Sequence, residues 1–372
     1  MKILQTPVRF HPFIGGVENY VYNLSRGLVG LGHEVTVLCA NESKLEKEEL
    51  LDGIKVRRLP YACKIANTNI TPSLPIEILR EEFDLIHAHL PTPWSADWSA
   101  LAAAAKRRPM VLTYYNDIVG EGAAERIAQL YNRFNLKFVL KKASRVIIIQ
   151  PDYINTSLHL RHYEKKVVAI PVGVDLERFR PLGTGADGKT LFFLSVLDRF
   201  HRYKGLDILL LALSAVKKEV PDVKLIVGGE GDLLEHYQRL SDGLGLAENV
   251  EFPGRVPEEM VADYYNRCDI FVLPSISGAQ EGFGMVALEA MACAKPVICS
   301  TIVGVAEEVK AEGAGLTVEP SNAKELSKAI LRLLQNRSEA ISMGGVGRRL
   351  AQERYNWKTV AKRVEEVYEE LI

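Results

Sequence analysis

The chain alternates between short runs of β-branched and other apolar residues and longer amphipathic segments. This alternation is typical of parallel sheets covered by helices on both faces. In the first half the predicted strands are 3–5, 35–38, 54–59, 85–87, 110–114, 146–149 and 167–172. In the second half they are 191–197, 224–227, 250–252, 270–273, 297–299 and 316–318. The pattern therefore predicts an α/β fold with two doubly wound units.

The last segment of the chain has apolar residues at helical spacing, which predicts a helix with one buried face. These residues are Trp357, Val360, Val364, Val367 and Leu371. A stretch rich in Pro and Gly, 181–188, separates the two series of strands and is interpreted as part of an interdomain connection. We expect a first domain at 1–174, a second at 175–354 and a terminal helix at 355–372.

Length and composition agree with this organisation. A chain of 372 residues is too long for one ordinary core, so two domains are the expected number. The 47% apolar and 25% charged residues are the usage of a soluble globular protein. The net charge of -1 provides no global attraction for nucleic acid, and we expect no nucleic-acid partner.

Cysteine usage and the N-terminus bear on the compartment. The five cysteines are scattered, without a C-x-x-C pair or a histidine cluster at ligand spacing, so we expect neither a metal site nor a disulfide framework. The first apolar run is too short for a signal peptide, and no run reaches the roughly 20 apolar residues of a membrane span. We therefore expect a cytoplasmic protein, either soluble or lying on a membrane surface.

The most informative segment runs from Glu281 to Glu289. It follows a predicted strand, contains a glycine-bearing turn and then becomes strongly helical. Backbone N–H groups at Gly282 to Met285 are therefore expected to form an anion site. Two carboxylates around free amides suit a ligand with hydroxyls on both sides of a diphosphate, which is a nucleotide sugar. The alternative is a simple helix cap with a solvated glutamate.

Two further places suit phosphate. Gly15 and Gly16 lie between the first strand and a helix, where a backbone without side chains can approach an anion. Arg199 and Lys204 follow the first strand of the second half and bring positive charge to a strand end. Taken alone, the first pair is usually only a turn, and the second is more often part of a solvated surface.

Together these motifs resemble those of glycosyltransferase family 4. The family pattern E-G-F-G, four residues, E-A-M-A and a later P-V-I is matched from Glu281 to Ile298. The other matching segments are Gly15-Gly16-Val17-Glu18, His87-Ala88-His89, Gly173-Val174-Asp175, Arg199 with Lys204-Gly205, Gly228-Gly229-Glu230-Gly231 and Pro253-Gly254-Arg255-Val256. The resemblance thus extends over nearly the whole chain.

The resemblance implies a GT-B fold, in which two Rossmann-like domains face each other across a cleft and a C-terminal helix packs back on the first domain. It also implies a retaining, metal-independent hexosyltransferase. Such an enzyme moves a sugar from a UDP- or GDP-sugar to a glycan, glycolipid or lipid-linked acceptor. The nucleotide sugar is a substrate, and no further cofactor is expected.

The resemblance also assigns roles to residues. Arg199 and Lys204 would stabilise the departing diphosphate, Glu281 would position the sugar, and Glu289 would accept the ribose hydroxyls. The residues expected to bind the donor are Gly15, Gly16, Arg255, Val256, Gly282, Phe283, Gly284, Met285, Val286 and Glu289. Those expected on the acceptor side are His89, Tyr115, Asn116 and Asp117, whereas His87 is expected to be structural.

One position departs from the family. Tyr115 stands where relatives often have a histidine, and an unperturbed phenol ionises near pH 10, so it cannot serve as the same titratable group. Two alternatives stay open. One is a nucleotide-sugar 2-epimerase, whose two-domain fold is alike, and the other is a nucleotide-sugar binder of reduced activity, which Tyr115 motivates. A dehydrogenase is disfavoured because no G-x-G-x-x-G follows a strand.

The segment from Arg126 to Arg145 contains six Lys or Arg and no Asp or Glu. One predicted helical face carries Ile127, Leu130, Tyr131, Phe134 and Phe138, and a neighbouring face carries Arg126, Arg133, Lys137 and Lys141. Such a basic amphipathic helix can lie on an anionic membrane surface. The alternative is a helix docked on its own sheet with a solvated basic edge.

Overall fold

The computed structural model describes residues 1–13, 15–42, 45–65, 68–118, 123–151, 153–183, 187–278 and 280–372. The chain forms two compact units, Met1–Gly173 with Trp357–Ile372, and Val174–Asn356. The chain first passes between units at Gly173–Val174. The interpretation of 181–188 as part of the connection is therefore wrong. The described part of this stretch belongs to the second unit, and residues 184–186 lie outside the described residues.

The strands of the first unit are β1 Lys2–Thr6, β2 Glu34–Ala40, β3 Glu48–Leu51, β4 Ile54–Leu59, β5 Cys63–Ile65, β6 Thr68–Ile70, β7 Leu85–Leu90, β8 Met110–Tyr114, β9 Arg145–Ile148 and β10 Val167–Ala169. Those of the second unit are β11 Thr190–Leu194, β12 Lys224–Gly228, β13 Val250–Gly254, β14 Ile270–Leu273, β15 Val297–Ser300 and β16 Gly315–Val318. All the strands predicted from the apolar runs are present.

The helices are α1 Gly16–Gly30, α2 Leu74–Arg80, α3 Ser95–Lys106, α4 Ala123–Tyr131, α5 Lys137–Lys142, α6 Tyr153–Thr156, α7 Leu206–Val216, α8 Leu234–Gly243, α9 Val261–Arg267, α10 Met285–Ala292, α11 Ala306–Glu312, α12 Ala323–Gln335, α13 Arg337–Arg354 and α14 Trp357–Glu369. A π-helical turn, Asn132–Leu136, joins α4 to α5, and the 3-10 helix Arg199–Lys204 precedes α7. Among the helices so described, none is long and apolar enough to cross a bilayer.

The first sheet has the strand order β10-β9-β8-β7-β1-β2-β4-β3. All its neighbouring strands are parallel except β3, which pairs antiparallel with β4 at the edge. The sequence did not predict β3, because its glutamates and Leu50 are exposed and no apolar alternation marks it. The short antiparallel pair β5 and β6 was missed as well, since β5 is exposed throughout.

The second sheet has the order β13-β12-β11-β14-β15-β16 and is parallel throughout. This is the Rossmann order, in which the chain winds outward from β11 in one direction and then from β14 in the other. Apolar strands buried on both faces account for the continuous hydrophobic runs, as in Ile270–Leu273. The predicted α/β class with two doubly wound parallel sheets is confirmed.

Helix α14 belongs to the first unit, where it packs on α1. Its buried side chains include Val360, Val364 and Val367, which were predicted from the helical spacing. The two helices approach closely at Gly27, where an added Cβ would lie 2.6 Å from the Cβ of Ala361. The absence of a side chain at Gly27 therefore sets the distance between α1 and α14.

We predict that Gly27→Ala destabilises the protein by about 1–3 kcal/mol, because overpacking forces α14 away from α1. Gly30→Ala on the same helix is the matched control, since an added Cβ there meets no atom within 4 Å. The control is expected to be neutral or slightly stabilising. Thermal unfolding of both variants checks this, and equal midpoints would contradict the close approach.

Candidate active site

The second sheet changes winding direction between β11 and β14, and ligands of such sheets bind beyond the strand ends at this point. The loop after β11 carries Arg199 and Lys204, and the loop after β14 carries Glu281. Hence the fold of the second unit alone brings these two loops to the same edge of the sheet.

The two loops are in direct backbone contact. Gly205, which follows the 3-10 helix, has φ +78°, and a Cβ there would lie 2.1 Å from the carbonyl oxygen of Pro274. The amide of Ile276 donates to the carbonyl of Tyr203 at 2.7 Å. Only glycine permits both this left-handed conformation and this approach. The glycine after Lys204 therefore fixes the lysine relative to the loop after β14.

The Lys204 ammonium lies 2.9 Å from each oxygen of the Glu281 carboxylate. The Glu281 side chain is 3% exposed and that of Lys204 is 15% exposed. The hydroxyl of Ser275 donates to the same carboxylate. An ammonium has three N–H donors, so Lys204 can still meet a further anion. Ser275 was not predicted from the sequence, because nothing in its spacing marks it as a partner of Glu281.

The turn between Glu281 and α10 exposes backbone donors. Gly284 caps α10 with φ +84°, and a Cβ there would lie 2.5 Å from Cγ1 of Val303. No acceptor in the described part of the chain takes a hydrogen bond from the backbone amides of Gly282, Phe283, Gly284, Met285 or Val286. Unpaired amides at a helix N-terminus favour an anion. The turn thus places unpaired backbone donors directly after Glu281 of the Lys204–Glu281 pair, and their contact with a donor diphosphate stays a prediction.

Glu289 lies half-buried one helical turn inside α10 and accepts a hydrogen bond from the Tyr265 hydroxyl at 2.8 Å. Burial raises its pKa to about 7, against the opposing effects of the Tyr265 hydrogen bond and the Arg178 charge. A carboxyl group in this state changes its charge near neutral pH. Tyr265 was not predicted, since an aromatic residue on α9 is ordinarily a core residue.

The structure does not bring all the predicted basic residues to this pair. The side chain of Arg199 is 83% exposed and its Nε lies 3.2 Å from Asp232. Arg255 is also exposed and lies 3.9 Å from Glu230, while Val256 packs half-buried over Gly228. Both arginines are therefore paired with surface carboxylates near the strand ends rather than with Glu281.

In the first unit, Gly15 and Gly16 begin α1 as predicted. A Cβ at Gly15 would lie 2.2 Å from the Glu18 carboxylate, whereas one at Gly16 would meet no atom within 4 Å. A side chain at position 15 would therefore clash with the carboxylate of Glu18, which folds back over the start of the helix. The open approach needed for a ligand exists at Gly16, whose contact with a donor stays a prediction.

Glu18 is itself held by Arg9, whose Nε donates to the carboxylate at 3.0 Å. Both side chains are less than a tenth exposed, and Arg9 also lies 3.7 Å from Glu42. This buried network joins the segment after β1 to the first turn of α1. The sequence did not predict it, because Glu18 was noted only as part of the glycine motif.

His89 was expected on the acceptor side, but the structure buries it completely. Its ring stacks on His87, and its Nε2 lies 2.8 Å from Oε1 of Gln5. Since an amide oxygen only accepts, Nε2 carries the proton and the Tyr115 hydroxyl donates to Nδ1 at 3.2 Å. Burial and the neighbouring His87 hold the pKa of His89 well below its usual range. The expectation that His89 faces an acceptor is therefore corrected.

The remaining acceptor-side residues differ in exposure. Tyr115 is half-buried at the end of β8, and burial raises the pKa of its phenol well above 10, so it is no base at neutral pH. Asp117 is held inside the unit by the hydroxyls of Tyr114 at 2.8 Å and Ser157 at 2.7 Å. Asn116 is exposed. His87, with both ring nitrogens bonded inside the core, is structural as expected.

The described residues contain no group of three His, Cys, Asp or Glu side chains that could hold a metal ion. The cysteines described are all free, and only Cys63 among them is exposed.

Comparisons with known families cover almost the whole chain. Residues 14–178 match the family model described as Glycosyltransferase Family 4, and residues 183–369 match that described as Glycosyl transferases group 1. An uncharacterized glycosyltransferase of Methanocaldococcus jannaschii is 30% identical over 378 aligned residues, spanning 100% of this chain and 99% of that protein.

Two further relatives are named for their substrates. Phosphatidyl-myo-inositol mannosyltransferase of Mycolicibacterium smegmatis is 27% identical, covering 95% of this chain and 90% of the relative. The phosphatidylinositol N-acetylglucosaminyltransferase gpi3 subunit of Schizosaccharomyces pombe is 26% identical, covering 97% of this chain and 79% of the relative.

Solved structures confirm the predicted fold class. Sucrose-phosphate synthase from Thermosynechococcus elongatus superimposes with a TM-score of 0.75 at 25% identity, covering 100% of this chain and 98% of the other. The Anabaena protein HepE, solved with UDP and glucose, gives a TM-score of 0.76 at 21% identity, covering 100% of both chains. At this lower identity the second likeness shows the fold alone.

We predict that Lys204→Met destabilises the protein by about 3 kcal/mol, because it leaves the Glu281 carboxylate buried without its cation. Glu281→Gln is expected to cost less, since Lys204 retains more contact with solvent. The double variant should lose less than the sum of the single changes. Urea unfolding of the four proteins measures this coupling, and additivity within about 0.5 kcal/mol would contradict the buried pair.

The raised pKa of Glu289 predicts a pH dependence of stability. A carboxyl whose folded pKa exceeds its unfolded value stabilises the fold below the unfolded pKa, and this stability is lost as pH rises through about 7. Relative to Glu289→Gln, the wild type should therefore lose thermal stability between pH 5 and pH 8. If the melting temperatures of the two proteins change equally with pH over this range, the raised pKa of Glu289 is refuted.

Proposed function

The chain belongs to glycosyltransferase family 4, and from this membership we propose that it transfers a hexose from a UDP- or GDP-sugar with retention of configuration and without a metal ion. The acceptor we propose is a lipid-linked sugar or glycolipid. The observation that carries the proposal is the Lys204–Glu281 pair beside the free amides that begin α10.

In this proposal the donor diphosphate lies at the edge of the second sheet where β11 and β14 end. The amides of Gly284 to Val286 and the third N–H of Lys204 would bind its oxygens. Arg199 would have to leave Asp232 to join them, which its exposed side chain permits at little cost, because exposed ion pairs contribute little. Arg255 and Val256 would border the nucleotide base, as the family resemblance implies.

During transfer, the bond between the anomeric carbon and the phosphate oxygen breaks, and a bond from the acceptor oxygen to that carbon forms on the same face. Negative charge develops on the departing diphosphate, where Lys204 and the amides can stabilise it. A phosphate oxygen of the leaving group takes the acceptor proton. This route needs no basic side chain, which agrees with the inward-pointing Tyr115 hydroxyl and the buried His89.

The two glutamates have different proposed roles. Glu281 neutralises and orients Lys204, and its buried carboxylate borders the place where the sugar would lie. Glu289 would accept the ribose hydroxyls, and doing so favours its ionised form. Donor binding should therefore lower the pKa of Glu289 from about 7.

The acceptor class is supported by relatives. The mycobacterial relative is named for phosphatidyl-myo-inositol and the fission-yeast relative for phosphatidylinositol, and the alignment with each covers more than nine-tenths of this chain. Both substrates are lipids with a polyhydroxylated headgroup. We propose accordingly that this enzyme works at the cytoplasmic face of a membrane, where such a headgroup can be reached.

We predict that a UDP- or GDP-sugar raises the melting temperature of the wild type, since a ligand at 100 times its Kd adds about 2.7 kcal/mol of stability. Glu289→Ala should reduce this shift strongly, because the ribose hydroxyls lose their acceptor. Glu307→Ala, at an exposed glutamate of α11, is the control and should shift like the wild type.

The same donors are then incubated with a glycolipid acceptor, and the anomeric configuration of the product is read by NMR. A shift absent for every donor, or identical in Glu289→Ala, would refute the donor site. Donor binding without transfer to any acceptor would favour a nucleotide-sugar binder instead. Release of a new free sugar and nucleotide without an acceptor would indicate an epimerase.

A further inference from the structure

The helical segment 123–142 presents a mixed apolar and basic surface to solvent. Leu130 is 62% exposed and Phe134 is 58% exposed, which is high for large apolar side chains. The exposed basic residues of the segment are Arg126, Arg133, Lys137, Lys141 and Lys142. We call Arg126, Leu130, Arg133, Phe134, Lys137, Lys141 and Lys142 the basic face.

This surface is fixed in orientation by contacts on the opposite side of the segment. Leu136, Val139 and Leu140 are fully buried in the core of the first unit. The Tyr131 hydroxyl also donates to the Asp97 carboxylate on α3 at 2.9 Å. The sequence placed Leu130, Tyr131, Phe134 and Phe138 on one face, but Tyr131 and Phe138 pack inward while Leu130 and Phe134 face solvent.

The π-helical turn Asn132–Leu136 accounts for this division. A π turn contains an extra residue, so the apolar stripe before it does not continue in phase after it. The side chain of Ile127, which the sequence placed on the same stripe, lies outside the described residues. Leu130 and Phe134 are thus exposed as a consequence of the backbone and not through loose packing.

No carboxylate among the described residues pairs with the charges of the basic face. In the described part of the chain, no carboxylate lies within 4 Å of Arg126, Arg133, Lys137, Lys141 or Lys142. Arg145, the sixth basic residue of the sequence segment, is paired with Glu370 and is therefore excluded from the face. The acidic neighbour Glu125 bonds to Gln129. Five positive charges consequently remain available to an external anion.

The neighbouring helices α2 and α3 also expose apolar side chains. α3 packs against both α2 and α5 in the layer that covers this side of the sheet. On α2, Ile76 and Leu79 are 54% and 50% exposed, and on α3 Leu101 is 44% exposed. Arg108 follows α3 and is exposed without a carboxylate partner among the described residues. The layer therefore offers several apolar side chains at one surface of the unit.

We propose that the basic face docks on a bilayer that contains anionic phospholipids. Leu130 and Phe134 enter the boundary between headgroups and acyl chains, and the five cations contact lipid phosphates and carboxylates around them. Exposed apolar side chains flanked by Lys and Arg are the composition of helices that lie in the membrane interface. This inference rests on the proposed function, since it supplies the surface from which a lipid acceptor is reached.

A nucleic acid would use the cations but leave Leu130 and Phe134 in water, so it fits the face less well. A folded acidic protein would require carboxylates placed opposite the cations. A fluid anionic bilayer needs no such match, because its lipids redistribute around the bound charges. Lys137 and Lys141, with long flexible stems, suit a surface of this kind.

The test measures co-sedimentation with vesicles of phosphatidylcholine and phosphatidylserine in equal amounts, and with vesicles of phosphatidylcholine alone. The wild type should bind the anionic vesicles and lose binding in high salt. Reversing two charges in Lys137→Glu/Lys141→Glu should weaken binding about tenfold or more. The matched control is Lys324→Glu/Lys328→Glu, which makes the same change at the same spacing on exposed residues of α12.

A second variant, Leu130→Ser/Phe134→Ser, tests the apolar contribution. It should also bind the anionic vesicles more weakly, while its salt dependence stays that of the wild type. Equal binding of wild type and Lys137→Glu/Lys141→Glu would overturn the proposal. Equal binding of the wild type to both kinds of vesicle would do so too, as would binding to soluble polyglutamate without any binding to vesicles.

Vesicle binding is measured without donor, so its result is independent of the glycosyltransferase assignment. In parallel, the donor-induced melting shift of Lys137→Glu/Lys141→Glu should equal that of the wild type, which also shows that the variant is folded. A protein that binds vesicles but no donor would leave the docking surface standing and refute the donor site. The reverse result would refute the docking surface alone.

Discussion

The ion pair between Lys204 and Glu281 is the interaction on which the candidate site depends. A carboxylate that is 3% exposed is costly to bury alone, and the two bonds from the ammonium together with the Ser275 hydroxyl satisfy it. The pair joins two loops that lie far apart in sequence and meet only because β11 and β14 are neighbours. Their close backbone contact at Gly205 keeps the pair in place. The proposed donor site therefore lies on an element that the second unit stabilises for its own folding.

Most of the fold could be predicted from the sequence, because its sheets are parallel and buried. Such strands appear as continuous apolar runs, and the runs at Ile270–Leu273 and Val297–Ser300 coincide with strands of the second sheet. The edge elements β3 and β5 could not be found in this way, since their residues are exposed. The stretch 181–188 was interpreted as part of the connection but lies within the second unit, because a stretch rich in Pro and Gly indicates a loop and does not show which two elements it joins.

The site could be predicted only where chemistry follows directly from local sequence. The glycine turn before α10 and the two glutamates are such features. The partners Ser275 and Tyr265 and the buried position of His89 depend on which side chains meet in three dimensions. A histidine at a strand end is equally compatible with a surface and with a core. Its burial follows from the helices α1 and α14, which cover that face of the first sheet with Tyr20 and Tyr368.

The structure shows the contacts of Tyr115, the residue that departs from the family pattern. Its hydroxyl donates a hydrogen bond to His89, and His89 donates one to Gln5. The phenol therefore completes a chain of polar side chains within the first unit. A polar chain of this kind favours one arrangement of β1, β7 and β8, because His89 on β7 has one specific partner on β1 and another at the end of β8. The residue at position 115 therefore affects how this core is organised as well as what borders the strand end.

The π-helical turn at Asn132–Leu136 has a consequence for how such a surface can change during evolution. Deleting one residue from this turn would restore α-helical winding and rotate everything N-terminal to it by about 100° relative to α5. Leu130 would then take the angular position that Tyr131 has now, on the side of α3, without any substitution on the surface itself. In this part of the protein, a single insertion or deletion can therefore determine which side chains of the helix are exposed to solvent.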